Sequence, residues 1–431
     1  MDRTHPGPRE YGMDGFQAAD EAPFEAAMRA AERGDWMAAR AMLEALVTAP
    51  ELALQARLLL WEVCQAQGDA AAGVAHLRNA VTGTPVIVRP SAAPARHVLA
   101  LAVIGDFQAN LPLGCLLDAE RTGLATLWIA DPEAVLADPA GTLPRNLPPF
   151  DCVFIAIAED VRHAGALAAA DAWAACLAAP VINSGARIAA VSRDGAARLL
   201  ADLPEAVVPA QHLLTRAALH RPALPAGLAF PLLIRPRGAH AGQGLARVAD
   251  GPELTAYLAD GGLGDLFYVA PFVDFRSADG QWRKYRVIFV DGRPFPFHLA
   301  VHDDWAIWYY NAGMDRDAGK RAEEARFLED ITAAFPPRAM TALAALAERV
   351  GLDYFGLDCA LMPDGRLLVF EVETGMIVHD TDPADLYPYK KRCVPRIFRA
   401  VEAMLDARIA QARAGLSPVP TRSAAPAAAS P

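Results

Sequence analysis

Two stretches of this chain carry residue types whose spacing suits chemistry. In LDCALMPDGRLLVFEVETG (357–375), Asp358 lies on one expected strand, a PDGR turn follows, and Glu371 and Glu373 lie on the next. Side chains two apart on a strand share a face, and hairpin pairing brings Asp358 opposite them. Three carboxylates on one face of an apolar hairpin repel one another, and burying them unpaired is costly. A divalent cation relieves that repulsion, and oxygen-only ligands suit Mg²⁺ or Mn²⁺. The alternative is a solvated hairpin face, against which the apolar run LLVF speaks. In FPLLIRPRGAHAGQGLARV (230–248), a buried strand feeds Arg235 and then a loop with Gly238, Gly242 and Gly244. Glycines let backbone N–H groups approach a polyphosphate, and a fixed cation at the strand end complements its charge. No GKS or GKT follows, so this is not a Walker A loop. A purely structural turn is its alternative.

These residues need strands to hold them. FPLLIRPR (230–237), DLFYVAPFV (265–273), KYRVIFVDG (284–292), RPFPFHLAV (293–301), YFGLDCALM (354–362) and RLLVFEVE (366–373) all read as strands. VDGRP and PDGR read as hairpin turns. Helices are expected over 337–350 and 395–413. Upstream, HVLALAVIGD (97–106), LATLWIA (124–130), DCVFIAIA (151–158) and PVINS (180–184) alternate with helix-capable stretches, which implies a parallel sheet with crossover helices. The loop after the first of these strands carries Gly105, Asp106, Asn110 and Pro112. A ligand site is one reading of that loop; a helix cap and a turn is the preferred one. No GxGxxG is present, so a dinucleotide is not supported.

Residues 22–83 read as helices with an internal repeat at a spacing of 34: Gly34-Asp35 recurs as Gly68-Asp69, and Leu43 as Leu77. Each Gly-Asp pair sits between amphipathic segments, as a helical hairpin requires. The spacing resembles a tetratricopeptide repeat. Two copies bury little alone, so they are expected to dock on the rest of the chain or on a protein partner. The ends, 1–20 and 415–431, read as disordered. The net charge of −11 excludes a general nucleic-acid binder. The six cysteines show no CxxC spacing, so neither a zinc site nor a disulfide framework is signalled. With no signal peptide or membrane span legible, the expected place is the cytoplasm.

IRPRGAHAGQG, FYVAPFVD, KYRVIFVDGRP and GLDYFGLDCALMPDGRLLVFEVE, in that order, resemble the ATP-grasp superfamily over about residues 186–408. The segment 96–185 resembles the α/β domain that usually precedes such a core, with PVINSGARIAAVSRDGAARLLADL (180–203) as the junction. The expected fold is therefore α/β and α+β multidomain. Helical hairpins (21–85) come first, then a small parallel pre-ATP-grasp domain (96–185), then an ATP-grasp domain of two α+β subdomains (186–408).

The resemblance implies ATP and Mg²⁺ (or Mn²⁺) as cofactors and gives residues roles. Arg235 takes the place of a phosphate-binding lysine, and 238–245, with His240, is the flap over the phosphates. Backbone groups of Val269 and Ala270 meet adenine, and Asp274 is a candidate for the ribose. Arg286 contacts the phosphate and the reacting acyl group, and Asp358, Glu371 and Glu373 hold metal. Position 373 is usually asparagine in the family; glutamate there puts activity, rather than fold, in doubt. The implied function is an ATP-dependent carbon–nitrogen ligase: a carboxylate becomes an acylphosphate, and an amine displaces phosphate. A catalytically degenerate ATP-grasp scaffold and an ATP-grasp phosphotransferase are the rivals. Members are often dimers, so a homodimer is one expected state.

For the substrates, HLAVHDDWAIWYYNAGM (298–314) supplies His302 and Asn311, with Trp305 and Tyr309 as core or contact, and His379 follows the acidic strand. Tyr389, Lys390, Lys391 and Arg392 form a basic cluster, read as a solvated helix end in preference to a site for an acidic substrate.

Overall fold

A computed structural model describes residues 22–221, 223–239 and 242–415. Residues 1–20, the tail from 416 and His240 in the glycine-rich loop lie outside them. The chain opens with four helices: α1 (Ala22–Glu32), α2 (Trp36–Leu46), α3 (Ala53–Ala66) and α4 (Ala70–Gly83). They form two hairpins with equivalent turns. Gly34 and Gly68 take φ of 74° and 81°, which only glycine adopts without strain. Asp35 and Asp69 then cap the next helix, accepting from Ala38 and Ala72 N–H at 3.2 Å each. The second hairpin docks on the rest of the chain. Trp61 Nε1 donates to the Gly105 carbonyl at 2.9 Å, Gln65 Oε1 accepts from Phe107 N–H at 2.7 Å, and the Trp61 and Phe107 rings meet edge to face.

The next layer is a five-stranded sheet: β1 (Val86–Arg89), β2 (Arg96–Val103), β3 (Thr122–Ile129), β4 (Cys152–Ile155) and β5 (Val181–Ile182) in the order β1-β3-β2-β4-β5. All neighbours run parallel except β1 against β3. Asn110 holds the loop after β2 by exchanging two 2.8 Å bonds with the Val103 backbone, and Asp106 caps its own turn through Gln108 N–H. Both therefore act as turn residues.

Two more sheets follow, built from β6 (Ala206–Val207), β7 (His212–Thr215), β8 (Leu232–Pro236), β9 (Ala246–Val248), β10 (Leu266–Pro271), β11 (Trp282–Val290), β12 (Arg293–His302), β13 (Tyr354–Leu361) and β14 (Leu367–Glu373). One is antiparallel with the order β7-β10-β8-β9; the other has the order β12-β11-β13-β14-β6. The β11–β12 turn places Asp291 and Gly292 at φ of 49° and 73°, the two positive values a type I′ hairpin needs. Alternation along β11 feeds two cores. Tyr285, Val287 and Phe289 pack with the helix Pro337–Val350, while Ile288 and Val290 pack with the helix Pro395–Arg413. That last helix is tied to the first sheet by the buried Arg96, whose guanidinium makes two bonds of 2.7 and 2.9 Å to Asp406. The architecture is mixed α/β and α+β, with a helical N-terminal region. No helix among the described residues is long and apolar enough to cross a membrane.

Candidate functional site

A row of polar side chains crosses the last sheet. His298 on β12 pairs with Arg286 on β11, Arg286 with Asp358 on β13, and Asp358 with Glu371 on β14. Neighbouring strands lie about 4.8 Å apart, so the row spans about 14 Å. Two irregularities set it. Pairing shifts by one residue after Arg286, skipping Phe297, and again after Asp358, skipping Phe370. Without these bulges an aromatic ring would stand where His298 or Glu371 stands; bulges re-aim side chains in this way.

Asp358 is fully buried at the centre of the row. Its Oδ1 accepts from Arg286 Nε at 2.8 Å, its Oδ2 accepts from Arg286 Nη2 at 3.0 Å, and Lys284 Nζ lies 2.6 Å from Oδ2. Lys284 and Arg286 are two apart and share the face. Burial pushes the Asp358 carboxyl up, but the two cations more than offset it and hold it well below the usual range. Burial likewise raises Glu371, and the Arg193 guanidinium hydrogen-bonded to it brings it below its ordinary value.

Arg193 was not among the residues expected here. It is the first residue of a helix, Arg193–Leu199, capped by Ser192. A cation at a helix N-terminus opposes the macrodipole, and that is the signal the sequence did carry. Beyond it, burial pulls the Arg235 guanidinium on β8 down to about 10, with the neighbouring Arg193 charge adding to the effect. Arg237 Nε is buried without a hydrogen-bond partner among the described residues. A half-buried guanidinium depressed by burial and by a neighbouring positive charge, next to another with an orphan buried N–H, marks a place that an anion would relieve.

The loop after β8 carries Gly238, Gly242 and Gly244 at φ of 76°, 76° and 63°. The carbonyl of Gly244 accepts from Tyr257 Oη at 2.6 Å, and Arg235 donates to the Ala239 carbonyl. Val269 is paired on both edges, with His212 of β7 and Ile234 of β8, whereas Ala270 extends past β7 and pairs with β8. Of the two, Ala270 is the better placed to offer backbone groups to a base. Asp274 is exposed and caps its own turn through Arg276 N–H at 2.9 Å.

The expected three-carboxylate cluster is not assembled: among the described residues no group of three or more His, Cys, Asp or Glu is arranged to hold a metal. Glu373 Oε1 accepts from Gly375 N–H at 2.9 Å, closing the turn after β14. Asp358 and Glu371 do fit a divalent cation as a pair of ionised hard-oxygen donors facing each other across two strands. Arg286, Lys284 and Arg193 occupy them as counter-charges.

The substrate candidates separate. Asn311 is spent on its own loop, accepting from Trp308 N–H at 2.9 Å and donating to the Ala306 carbonyl at 3.0 Å. His302 stands opposite Trp282 at the far end of β12, its Nδ1 accepting from Asp304 N–H. Trp305 packs edge to face on Phe272, as core. His379 does approach the row, its ring 6.4 Å from that of His298. The basic cluster needs correction. Lys391 and Arg392 are exposed, but Lys390 is fully buried. Its Nζ donates to Tyr309 Oη at 2.7 Å, Asp382 Oδ2 at 2.9 Å and His298 Nδ1 at 3.2 Å, and lies 3.6 Å from Glu324 Oε1. Tyr309 is thus neither plain core nor a free contact residue. Glu324, also fully buried, sits in the charged helix AGKRAEEARFLE, where composition gives no hint of burial.

A scan against protein-family models and a search of curated proteins both found no match. Among solved structures, the chain is similar to a RimK domain ATP-grasp protein from Sphaerobacter thermophilus: 16% identity, 72% of this chain and 99% of that one covered, TM-score 0.42. It is similar to a D-alanine–D-alanine ligase from Bacillus anthracis complexed with ATP: 13% identity, 75% and 99% covered, TM-score 0.43. It is also similar to the VanG D-Ala:D-Ser ligase from Enterococcus faecalis: 12% identity, 72% and 99% covered, TM-score 0.42. At so low an identity and TM-score, these likenesses carry no inference about this chain's chemistry.

Proposed function

We propose that this chain is an ATP-grasp ligase that spends ATP to activate a carboxylate and joins it to an amine. One observation carries the reading: the in-register row of Arg286, Asp358 and Glu371, closed by Arg193, with the half-buried Arg235 beyond it. Alternating charge of this kind, lined by cations that lack enough anions, suits a polyphosphate brought up to a reacting oxygen. Bound ATP supplies the phosphoryl group that makes the substrate carboxylate an acylphosphate, from which an amine displaces phosphate. Mg²⁺ held by Asp358 and Glu371 would supply neutralisation of phosphate charge. Arg235 and Arg193 bind the phosphates. Arg286, next to Asp358, orients the oxygen that is phosphorylated. The glycine-rich loop after β8 excludes water from the activated acyl group.

A specific observation favours a second reading, a scaffold that has lost turnover. Each acid already holds a cation, and Glu373 closes its own turn. The two readings part in a thermal melt with a non-hydrolysable ATP analogue and Mg²⁺. A ligand at a hundred times its Kd stabilises the folded state by about 2.7 kcal/mol. The ligase reading expects a metal-dependent rise in the wild type that Asp358→Asn/Glu371→Gln loses. No rise at saturating analogue sinks it. If analogue binds but no carboxylate elicits ATP consumption, and Glu373→Asn restores it, the scaffold reading stands.

A further inference from the structure

The buried cluster around Lys390 touches the proposed active row at one residue, His298. Lys390 is held as an ammonium by Asp382 at 2.9 Å, with Glu324 at 3.6 Å. An ammonium has three hydrogens to donate and no lone pair to accept with. At 3.2 Å from Lys390 Nζ, His298 Nδ1 is therefore the acceptor, and the ring's single hydrogen belongs on Nε2. The competing partner for Nδ1 is Glu324 Oε1, at 3.4 Å. That oxygen already accepts from Leu299 N–H at 3.3 Å, and a hydrogen on Nδ1 would point into the ammonium. A charged imidazolium would set two cations against each other. Burial, and after it the Lys390 charge, push the His298 imidazole well below its ordinary value, in agreement with the geometry.

His298 Nε2 makes no hydrogen bond among the described residues, although the side chain is only 13% exposed. With Nδ1 turned into the cluster, Nε2 lies on the opposite edge of the ring, and His298 is the in-register neighbour of Arg286. We propose that His298 is a catalytic residue of the ligase: its neutral Nε2–H donates to the carbonyl oxygen of the activated carboxylate held by Arg286, and Lys390 is the positioning residue that fixes this tautomer. This rests on the ligase reading. As the amine's lone pair forms the C–N bond, the carbonyl electrons move onto that oxygen. The C–O bond to phosphate then breaks, phosphate leaves with its electron pair, and the amine loses a proton to solvent. A donor aimed at the oxygen is worth about 10²–10³-fold in kcat. A neutral donor also keeps its proton when a carboxylate binds.

Two measurements on the full-length protein test this. The first is a long-range ¹H–¹⁵N spectrum of His298 without ligands, assigned by loss of its signal in His298→Gln. The expected result is a neutral ring protonated on Nε2 at neutral pH, lost to a mixture in Lys390→Met. A ring protonated on Nδ1, or an imidazolium, overturns the proposal whatever the chain's activity. The second is hydroxamate formation from ATP and Mg²⁺, with hydroxylamine as the amine and a mixture of L-amino acids and small dicarboxylic acids as the carboxylates. His298→Phe is expected to lose about 10²–10³-fold in kcat with the nucleotide KM unchanged. His298→Gln, which can present an N–H at the same place, is expected to stay within about tenfold. An unchanged kcat in His298→Phe overturns the proposal and leaves the ligase reading standing. A silent wild type that melts cooperatively overturns the ligase reading and, with it, the role for His298.

Discussion

Arg193 occupies a position its own helix disfavours. A cation in the first helical turn gives up about 0.3–1 kcal/mol against the macrodipole, yet here it reaches Glu371, next to Asp358. A residue placed against its local preference points to a demand from elsewhere, and phosphate binding is such a demand. Arg193→Met is therefore expected to weaken binding of the ATP analogue by about tenfold or more, the worth of a charge-assisted hydrogen bond. Isothermal titration would show it, and undiminished affinity would remove Arg193 from the site. Gly356 shows the opposite constraint. A Cβ there would lie 2.1 Å from Met376 Sδ, so the glycine lets the segment after β14 close over β13.

At the scale of elements, the two bulges do what a regular hairpin could not. Each inserts one aromatic residue, Phe297 in β12 and Phe370 in β14, and brings the polar residue that follows it into the row. Phe297 joins the apolar core and Phe370 packs edge to face on Phe275. The inserted residues are thus stabilised by burial while the row is set. The docked hairpin carries an unusual group: Glu62 in α3 is buried, and its Oε2 has no partner among the described residues. Burial alone pushes its carboxyl well above the ordinary value. An acid whose pKa is raised by folding binds its proton more tightly in the folded state. Its contribution is most favourable at low pH and is lost as pH rises above the unfolded value of about 4.3. Glu62→Gln is therefore expected to raise the melting midpoint at pH 8 and to change it little at pH 4. A lower midpoint at pH 8 would show that the carboxylate is paired.

Across the whole molecule, Asp358 and Glu371 push acid stability the other way. Their carboxyls are depressed in the folded state, so their contribution is fully present above the unfolded values, about 3.9 and 4.3. It is lost as pH falls below them through the folded values. The melting midpoint is expected to drop below about pH 4, less steeply in Asp358→Asn. Identical acid limbs would mean that the row contributes nothing to stability. Sequence alone determined much: the strands that carry Arg235, Arg286, Asp358 and Glu371, the Gly-Asp hairpin turns, and the helices Pro337–Val350 and Pro395–Arg413 follow from alternation, turn chemistry and caps. Those signals act over a few neighbouring residues, so one chain suffices to read them. Only the tertiary structure decided what long-range contact decides. Bulges chose Glu371 and His298 over the adjacent phenylalanines. Arg193 came to Glu371 across 178 positions. Lys390, which looks like part of a solvated helix end, became the buried centre of a polar cluster, because charge in a sequence does not say which other charge it will meet.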